Sequence, residues 1–334
     1  MIETRILKNP TAEDLSIAGD LIRDGKLVAF PTETVYGLGA DGFNAKACDK
    51  IFAVKERPAD NPLIEHVCSL EMVDRVAREI PLAAEKLFAA FSPGPLTLIL
   101  KKRPEIPSEV TAGLDTVGVR FPDHDFARAF IKAADTPIAA PSANISGRPS
   151  PTTAQAVFED LHDKIPMIID GGDCNFGLES TIVDCTSEIP TILRPGAITR
   201  EMLVEILGEV QIDSALKESD AVPKAPGMKY RHYAPRAALK LFNQDSLDEV
   251  IFTVKNFNRV GLLASFETLE KIPAKISFNY GSRNDLRSIA ANLYEGLRFF
   301  DDQEVDLIFA EETVETGLGF AIMNRLRKAS SNDF

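Results

Sequence analysis

Between residues 31 and 63 the chain carries polar side chains at places where a purely fold-building segment would be apolar. An apolar run typical of a buried strand comes before it, and a helical pattern begins inside it at Asn44, a good N-cap residue. Pro58 cannot continue this helix, which places Lys55 and Arg57 at its C-terminal end. A hydroxyl-rich loop beside a helix that ends in Lys-x-Arg indicates an anion site, and phosphate is the anion that suits it.

The two cations also have a simpler interpretation. Lys55 and Arg57 would complement the negative end of the helix dipole. That interpretation explains their charge, but it leaves Asn61, His66 and the hydroxyl groups of the PTET loop without a purpose. The anion site is therefore the preferred hypothesis.

Three glycines in the same stretch have the spacing of a dinucleotide-binding fingerprint. Gly37, Gly39 and Gly42 spell G-x-G-x-x-G between a strand and a helix. In that fold the first glycine turns directly after the strand, whereas PTETVY intervenes here, and KERPADNPL is not the acid-ending second strand that should follow. We therefore reject the fingerprint. No G-x-x-x-x-G-K-[ST] loop occurs either, so any phosphates must be held by side chains from several loops.

Composition narrows the class of protein. With 334 residues, 45% of them hydrophobic, the chain has enough apolar material for two packed domains. It shows no signal region and no apolar run near the roughly 20 residues of a membrane helix, so we expect a cytoplasmic protein without membrane contact. The four cysteines lack zinc-ligand spacing, and the net charge of -13 argues against general binding of nucleic-acid backbone.

Two later loops also follow predicted strands. Arg120 closes the strand that begins at Thr116, a position that suits a carboxylate or phosphate at the carboxyl edge of a sheet. Ser142 and Asn144 lie in the loop after the next strand. A Ser-x-Asn loop alone is ordinary turn chemistry, but here its hydroxyl and amide groups are expected to complete the site that Lys55 begins.

The region after this loop predicts a helix and more sheet. Thr152-x-x-Gln155 has the form of a capping box at a helix start. Three closely spaced apolar runs between 167 and 196 are more typical of a mixed sheet than of strict βαβ winding. Ser180 and Arg194 border these runs.

The last third of the chain has a different pattern. Residues 211–236 resemble a linker, but they contain Lys229, Arg231 and Tyr233 between prolines, so we predict a lid over an anionic ligand. Residues 237–334 alternate strands and helices in the manner of a small parallel-sheet domain. This domain has no glycine-rich phosphate loop, and a docking or regulatory role is expected for it.

Taken in order, these motifs resemble the long form of the threonylcarbamoyl-AMP synthases. The match extends over about two thirds of the chain and consists of PTETVYGLGAD, KERPADNPL, SPGPLTLIL, VGVRFPDH, APSANISGRPSPT, GLESTIVD, LRPGAIT and APGMKYRHYAP. The resemblance implies an α/β fold: a YrdC-like twisted mixed sheet with helices in residues 1–210, a linker or lid in 211–236, and a small Rossmann-like parallel α/β domain in 237–334. The last domain is matched by architecture more than by motif.

The resemblance also implies an activity. L-Threonine and bicarbonate or CO2 would form a carbamate that attacks the α-phosphate of ATP, releasing pyrophosphate and leaving threonylcarbamoyl-AMP. A downstream tRNA threonylcarbamoyl transferase complex would use this product to modify the adenosine beside the anticodon, so no stable direct binding of tRNA is expected. Mg2+ would accompany the triphosphate, held largely through water and phosphate oxygens and not by a protein cage.

Site residues follow from the same likeness. Two cations, Lys55 and Arg57, would be catalytic, and both would contact ATP. The remaining ATP contacts would come from Asn61, Thr116, Ser142, Asn144, Thr152, Arg194 and Tyr233. L-Threonine would be held by Thr34, His66, Arg120, Ser142 and Ser180, with Ser142 facing both ligands.

The residue types agree with this chemistry. Attack at a phosphoryl centre needs alignment and charge stabilisation more than a covalent nucleophile, so cations and hydroxyls without a triad are expected. Arg120 suits the threonine carboxylate as a bidentate partner. His66 is open to two interpretations, a general base for the amine or a binding histidine, and the second is preferred.

Three rival functions remain at this point. The first is an RNA-binding, translation-associated module without catalysis. The net negative charge of the chain argues against it. The second is a nicotinamide-dependent oxidoreductase. An increase in the melting temperature of the protein on addition of NAD would support this function. The third is carbamoyl transfer of the hydrogenase-maturation type, which normally comes with zinc-finger cysteines that this chain lacks.

Overall fold

The computed structural model describes residues 2–216 and 233–330. Two compact units divide the chain. The first unit consists of Met1–Ser146, Pro151–Asn175 and Glu179–Tyr230, and the second of Gly147–Ser150, Phe176–Leu178 and Arg231–Phe334. Most of the predicted lid, including Lys229 and Arg231, lies outside the described residues, and the predicted domain boundaries stay predictions.

Among the described residues, eleven strands form one mixed sheet in the first unit. They are β1 (Arg5–Lys8), β2 (Val28–Phe30), β3 (Gly37–Asp41), β4 (Ile64–His66), β5 (Leu96–Lys101), β6 (Thr116–Arg120), β7 (Ile138–Ala140), β8 (Met167–Asp170), β9 (Thr181–Asp184), β10 (Thr191–Arg194) and β11 (Gln211–Ile212). Their spatial order is β1-β8-β2-β3-β7-β4-β6-β5-β9-β10-β11, with both parallel and antiparallel neighbours. The predicted mixed sheet is confirmed.

Helices supply the rest of the core of this unit. They are α1 (Ala12–Arg23), α2 (Ala45–Lys55), α3 (Leu70–Val76), α4 (Leu82–Phe91), α5 (Ser108–Thr111), α6 (Asp125–Ala134), α7 (Ala154–Leu161) and α8 (Arg200–Leu207). Ile51 of α2 and Phe130 of α6 are fully buried in the same apolar cluster as Phe30 of β2. Burial of such side chains is the main favourable contribution to folding, at roughly 1.5–3 kcal/mol each.

The helix caps are partly as predicted. The Asn44 side chain accepts a hydrogen bond from the Ala47 amide at 3.2 Å and begins α2, as expected. The predicted capping box at Thr152 and Gln155 is wrong, because Thr153 caps α7 and accepts from the Ala156 amide. The Thr152 carbonyl already accepts from the backbone of the 171–174 loop, so the helix begins one residue later.

The glycine motif lies in a strand and not in a phosphate-binding turn. Gly37 and Gly39 belong to β3, which runs antiparallel to β2. A side chain at position 39 would approach Ile138 of β7 to 2.6 Å, so glycine is required there by close packing. The rejection of the dinucleotide fingerprint therefore has a structural basis.

The second unit contains a smaller parallel sheet. Its strands are β12 (Ala238–Phe242), β13 (Val260–Ala264), β14 (Ile276–Asn279) and β15 (Leu307–Glu311), and its helices are α9 (Leu247–Asn256), α10 (Phe266–Leu269), α11 (Leu286–Phe299) and α12 (Leu318–Ala329). The strands are parallel and lie in the order β12-β15-β13-β14. The predicted Rossmann-like α/β domain is confirmed.

Within residues 2–216 and 233–330, no helix has the length and apolar character that crossing a membrane requires.

A buried carboxylate organises the carboxyl edge of this small sheet. Glu311, at the end of β15, accepts hydrogen bonds from the Ser265 amide at 2.7 Å and the Thr268 hydroxyl at 2.7 Å. It also pairs with Arg283 at 2.6 Å. Tyr280 donates to its main-chain carbonyl. Because these groups satisfy one another, the cluster stabilises the loops that follow the strands.

Candidate functional site

The predicted Lys-x-Arg and Ser-x-Asn pairs come together through Lys55. This residue ends α2 and is buried, and Glu56 after it adopts a left-handed conformation with φ of 55° that turns the chain away. The Lys55 ammonium donates to the main-chain carbonyls of Ser142 and Asn144, both at 2.5 Å. It also lies 3.4 Å from the Asn144 side-chain oxygen. Lys55 therefore fixes the position of the loop after β7.

Arg57 and Asn61 shape the next segment. The Arg57 guanidinium donates to the main-chain carbonyls of Asn61 at 3.2 Å and Pro62 at 3.0 Å. The Asn61 side chain is buried, and neither its amide nitrogen nor its amide oxygen has a hydrogen-bond partner among the described residues. Since a buried amide without partners costs free energy, this side chain is suited to a polar ligand.

A buried ion pair lies at the end of β6. Arg120 pairs with Glu33 of the PTET loop at 2.8 Å, and the two side chains are only 4% and 3% exposed. Neither Glu33 oxygen, nor Nε and Nη2 of Arg120, has a partner with hydrogen-bond geometry in the part of the chain that the structure describes. The pair therefore has donor and acceptor atoms with which another molecule can form hydrogen bonds.

Sequence reasoning placed Arg120 in the site and missed Glu33. A glutamate in a polar loop is ordinarily exposed. Glu33, however, comes shortly after a strand that is buried throughout, inside the same PTET motif that was singled out for its hydroxyls. An acid within such a buried polar motif was the signal available.

His66 lies beside Arg120 in the sheet. The two residues are register partners of the parallel strands β4 and β6. The His66 ring is buried, and Nδ1 lies 3.0 Å from the Ile64 carbonyl, so Nδ1 carries the proton. Burial, aided by the nearby Arg120 guanidinium, lowers the pKa of His66 to about 3. The imidazole is therefore neutral at pH 7 and a weak base.

Ser180 and Arg194 extend this end of the site. Arg194 donates from Nε to the Ser180 carbonyl at 3.0 Å and from Nη2 to the Ser180 hydroxyl at 3.1 Å. The Ser180 hydroxyl also bonds to Thr97 at 2.7 Å. Thr97 is the register partner of Arg120 across β5 and β6, so a continuous row of polar groups runs along adjacent strand ends. Thr97 was not predicted.

The PTET loop connects the two groups of residues. Its C-terminal end adjoins the Ser-x-Asn loop, since Gly37 bridges to Ser142 and the Ala143 amide donates to the Tyr36 carbonyl at 2.8 Å. Its middle contacts Arg120 through Glu33. The Thr34 hydroxyl is buried and lies 2.9 Å from the Thr32 hydroxyl. The residues around Lys55 and the Ser-x-Asn loop therefore belong to the same contiguous region of the first unit as the residues around Arg120.

Three further predicted residues have less defined surroundings. Thr116 begins β6, and its even spacing from Arg120 places both side chains on the same face. Thr152 is buried directly before the cap of α7. Tyr233 belongs to the second unit, where its ring stacks on Tyr294 with centroids 5.1 Å apart. A role for these three in ATP binding stays a prediction.

The groups around Lys55 are of the types that suit a phosphate. In the described ranges, no group of three or more His, Cys, Asp or Glu residues is arranged to hold a metal ion. Around Lys55 the polar groups are cations, hydroxyls and amides, which suit phosphate oxygens, whereas the end around Arg120 also contains the Glu33 carboxylate and the His66 imidazole. An α/β fold with buried cations, hydroxyls and amides at neighbouring strand ends is typical of proteins that bind an anionic substrate by positioning and charge.

Comparisons with known proteins make this class specific. The family model described as "Telomere recombination" matches residues 20–196, and that described as "Threonylcarbamoyl-AMP synthase, C-terminal domain" matches residues 198–331. The chain is 48% identical to the threonylcarbamoyl-AMP synthase of Pyrococcus abyssi, over 95% of this chain and 94% of that protein. It is 45% identical to that of Bacillus subtilis, over 94% and 92%. The crystal structure of P. abyssi Sua5 complexed with L-threonine superposes with a TM-score of 0.90 at 45% identity, covering 99% of this chain and 97% of that one.

The chain belongs to the threonylcarbamoyl-AMP synthase family in its two-domain form. It is an enzyme of the nucleotidyltransferase type. The family resemblance found in the sequence is confirmed, and the RNA-binding module without catalysis is not favoured.

Proposed function

We propose that this enzyme condenses L-threonine, bicarbonate or CO2, and ATP into threonylcarbamoyl-AMP and pyrophosphate at the site in its first unit. The observation that carries this proposal is the contact of Lys55 with the Ser142–Asn144 loop, because it joins the cationic and hydroxyl groups that a nucleotide needs. The names of the relatives and the L-threonine complex of P. abyssi Sua5 support it.

L-Threonine is assigned to the end of the site around Arg120. The guanidinium binds the substrate carboxylate, and Thr34 and Ser180 offer hydroxyl groups to the substrate side chain. His66 acts as a binding residue, because a neutral imidazole whose pKa is about 3 is poorly matched to proton abstraction near pH 7. The preference for a binding histidine over a base is thereby strengthened.

ATP is assigned to the end around Lys55. The step at phosphorus forms a bond between a carbamate oxygen and the α-phosphorus and breaks the bond to the leaving pyrophosphate. Charge stabilisation by Lys55 and Arg57 lowers its barrier, and Lys55 also positions the loop. The ATP contacts assigned within the first unit are Asn61, Thr116, Ser142, Asn144, Thr152 and Arg194; the contact of Tyr233 with ATP stays a prediction from the sequence. Mg2+ would accompany the triphosphate, held mainly by phosphate oxygens and water, and would neutralise part of its charge.

The product carries an activated acyl phosphate. A tRNA threonylcarbamoyl transferase complex is the proposed consumer, working in the cytoplasm on the adenosine next to the anticodon. The net charge of -13 fits an enzyme that releases a small product and does not hold tRNA stably.

Pyrophosphate release from ATP tests the proposal. We expect release only when L-threonine and bicarbonate are both present, and its loss in Lys55→Ala and Arg57→Ala. Circular dichroism of both variants would establish that they are folded. Release by the wild-type protein without threonine, or wild-type turnover in both variants, would contradict the proposed assignment.

A further inference from the structure

The Arg120–Glu33 pair is an unusual feature of the site. Two charged side chains are almost completely removed from water, yet both carboxylate oxygens and two guanidinium nitrogens lack hydrogen-bond geometry to any described residue. Burying charge is costly unless it is paired and hydrogen-bonded. A pair kept in this condition is expected to have a ligand that completes it.

We propose that Glu33 binds the α-ammonium group of L-threonine while Arg120 binds its carboxylate. This inference rests on the proposed function and adds a residue to it. An α-amino acid carries its two charges on substituents of one carbon, so the charges are adjacent, as Glu33 and Arg120 are. The two side chains together match a zwitterion, with each charged group meeting its opposite.

The neighbouring titratable groups favour this assignment. His66, His124 and Cys174 interact electrostatically with Arg120, with Glu33, or with both. Burial lowers the pKa of both histidines and raises the pKa of the Cys174 thiol, so all three are neutral at pH 7. When a substrate carboxylate engages Arg120, no second cation among these described neighbours balances Glu33. The substrate ammonium supplies that cation.

Substrate selection follows from this arrangement. A ligand with a carboxylate but no amine would satisfy Arg120 and leave Glu33 as a buried carboxylate without a cation. Glu33 therefore selects for α-amino acids over hydroxy acids. It also keeps the nitrogen that must become the carbamate nitrogen in a fixed position.

The test compares L-threonine with 2,3-dihydroxybutanoate of matching configuration, which has a hydroxyl in place of the amine. The threonine KM and the inhibition constant of the analogue are measured for the wild type and for Glu33→Gln. We expect the wild type to prefer threonine by tenfold or more, since bonds to charged groups contribute about 1.5–3 kcal/mol. In Glu33→Gln the preference disappears through a raised threonine KM, with a smaller change in kcat.

Two further variants keep the test interpretable. Glu65→Gln changes another buried glutamate of the same unit that has no assigned role, and it should keep the wild-type preference. Glu33→Asp retains the charge while withdrawing it by one methylene, and it should lose part of the preference even if Glu33→Gln fails to fold.

Three outcomes would overturn the inference. Glu33→Gln could keep the preference, could bind both ligands more tightly because Glu33 only competes for Arg120, or could weaken both equally because its role is structural. Absence of threonine-dependent pyrophosphate release in the wild type would instead refute the proposed function, so the two failures are distinguishable.

Discussion

Several buried polar atoms of the candidate site have no hydrogen-bond partner among the described residues. These atoms belong to Asn61, Glu33 and Arg120, of which the last two also form an ion pair with each other. Glu65 is also buried without a partner, but it has a different explanation. Burial and nearby Asp41 raise the pKa of Glu65 to about 8, so its carboxyl is mostly protonated at neutral pH.

Asn61 and Asn44 offer a matched pair of substitutions. Because the Asn61 side chain makes no hydrogen bond to a described residue, Asn61→Ala should change stability little while raising the KM for ATP about tenfold. Asn44→Ala removes the cap of α2 and should cost about 1 kcal/mol of stability with little change in KM. Pyrophosphate-release kinetics and urea unfolding check both, and a wild-type KM in Asn61→Ala would refute its assignment to ATP.

Glu65 predicts a specific pH dependence of stability. Its pKa is raised in the folded state, so the native protein binds more protons than the unfolded chain between the ordinary carboxyl range and pH 8. Stability should therefore fall as pH rises, by roughly 1–2 kcal/mol between pH 6.5 and 8. The lowered pKa of His66 acts mostly below this window, with the opposite sign, and offsets a small part of the fall near pH 6.5.

Glu65→Gln isolates this contribution. The variant should remain equally stable at pH 6.5 and 8 and be more stable than the wild type at pH 8. Urea unfolding at the two pH values measures the difference. An identical pH slope in both proteins would show that Glu65 does not titrate as described.

The sequence predicted most residues of the candidate site but not their pairing. The Lys-x-Arg and Ser-x-Asn motifs are local patterns of residue type, and chemistry assigns them to an anion site. The contact of Glu33 with Arg120 joins residues far apart in the chain, so no local pattern predicts that the two side chains pair. Such a contact depends on strand order, which residue patterns do not specify.

Helices and strands were predictable where periodicity and caps agreed. The helix from Asn44 and the strand ending at Arg120 formed as expected. The start of α7 was misplaced by one residue, because Thr152 and Thr153 are chemically identical candidates and only a tertiary hydrogen bond to the Thr152 carbonyl distinguishes them. Local patterns thus leave such a register open.

These two threonines can be separated by experiment. Thr153→Ala removes the cap of α7 and should lower the free energy of unfolding by about 0.5–2 kcal/mol with KM values near wild type. Thr152→Ala should leave stability nearly unchanged and raise the KM for ATP. Denaturant unfolding measures the stability of both variants, and pyrophosphate-release kinetics measure their KM for ATP. The reverse pattern would show that Thr152 caps α7 and does not contact ATP.

The two sheets differ in how far sequence could describe them. Alternating strands and helices after residue 237 predict parallel pairing, since parallel neighbours need crossover connections. In the first unit, β8 lies between β1 and β2 although it comes much later in the chain. This order is set by long-range packing, so the class of fold was predictable and the arrangement was not.

The chemistry proposed for the whole enzyme has a direct test in the fate of the carbonate carbon. Purified protein is given ATP, Mg2+, L-threonine and 13C-labelled bicarbonate, and the nucleotide products are analysed by mass spectrometry. The predicted result is an AMP derivative that contains both threonine and one 13C atom, formed in equal amount to pyrophosphate. Pyrophosphate formed without a labelled threonine-containing nucleotide would contradict it.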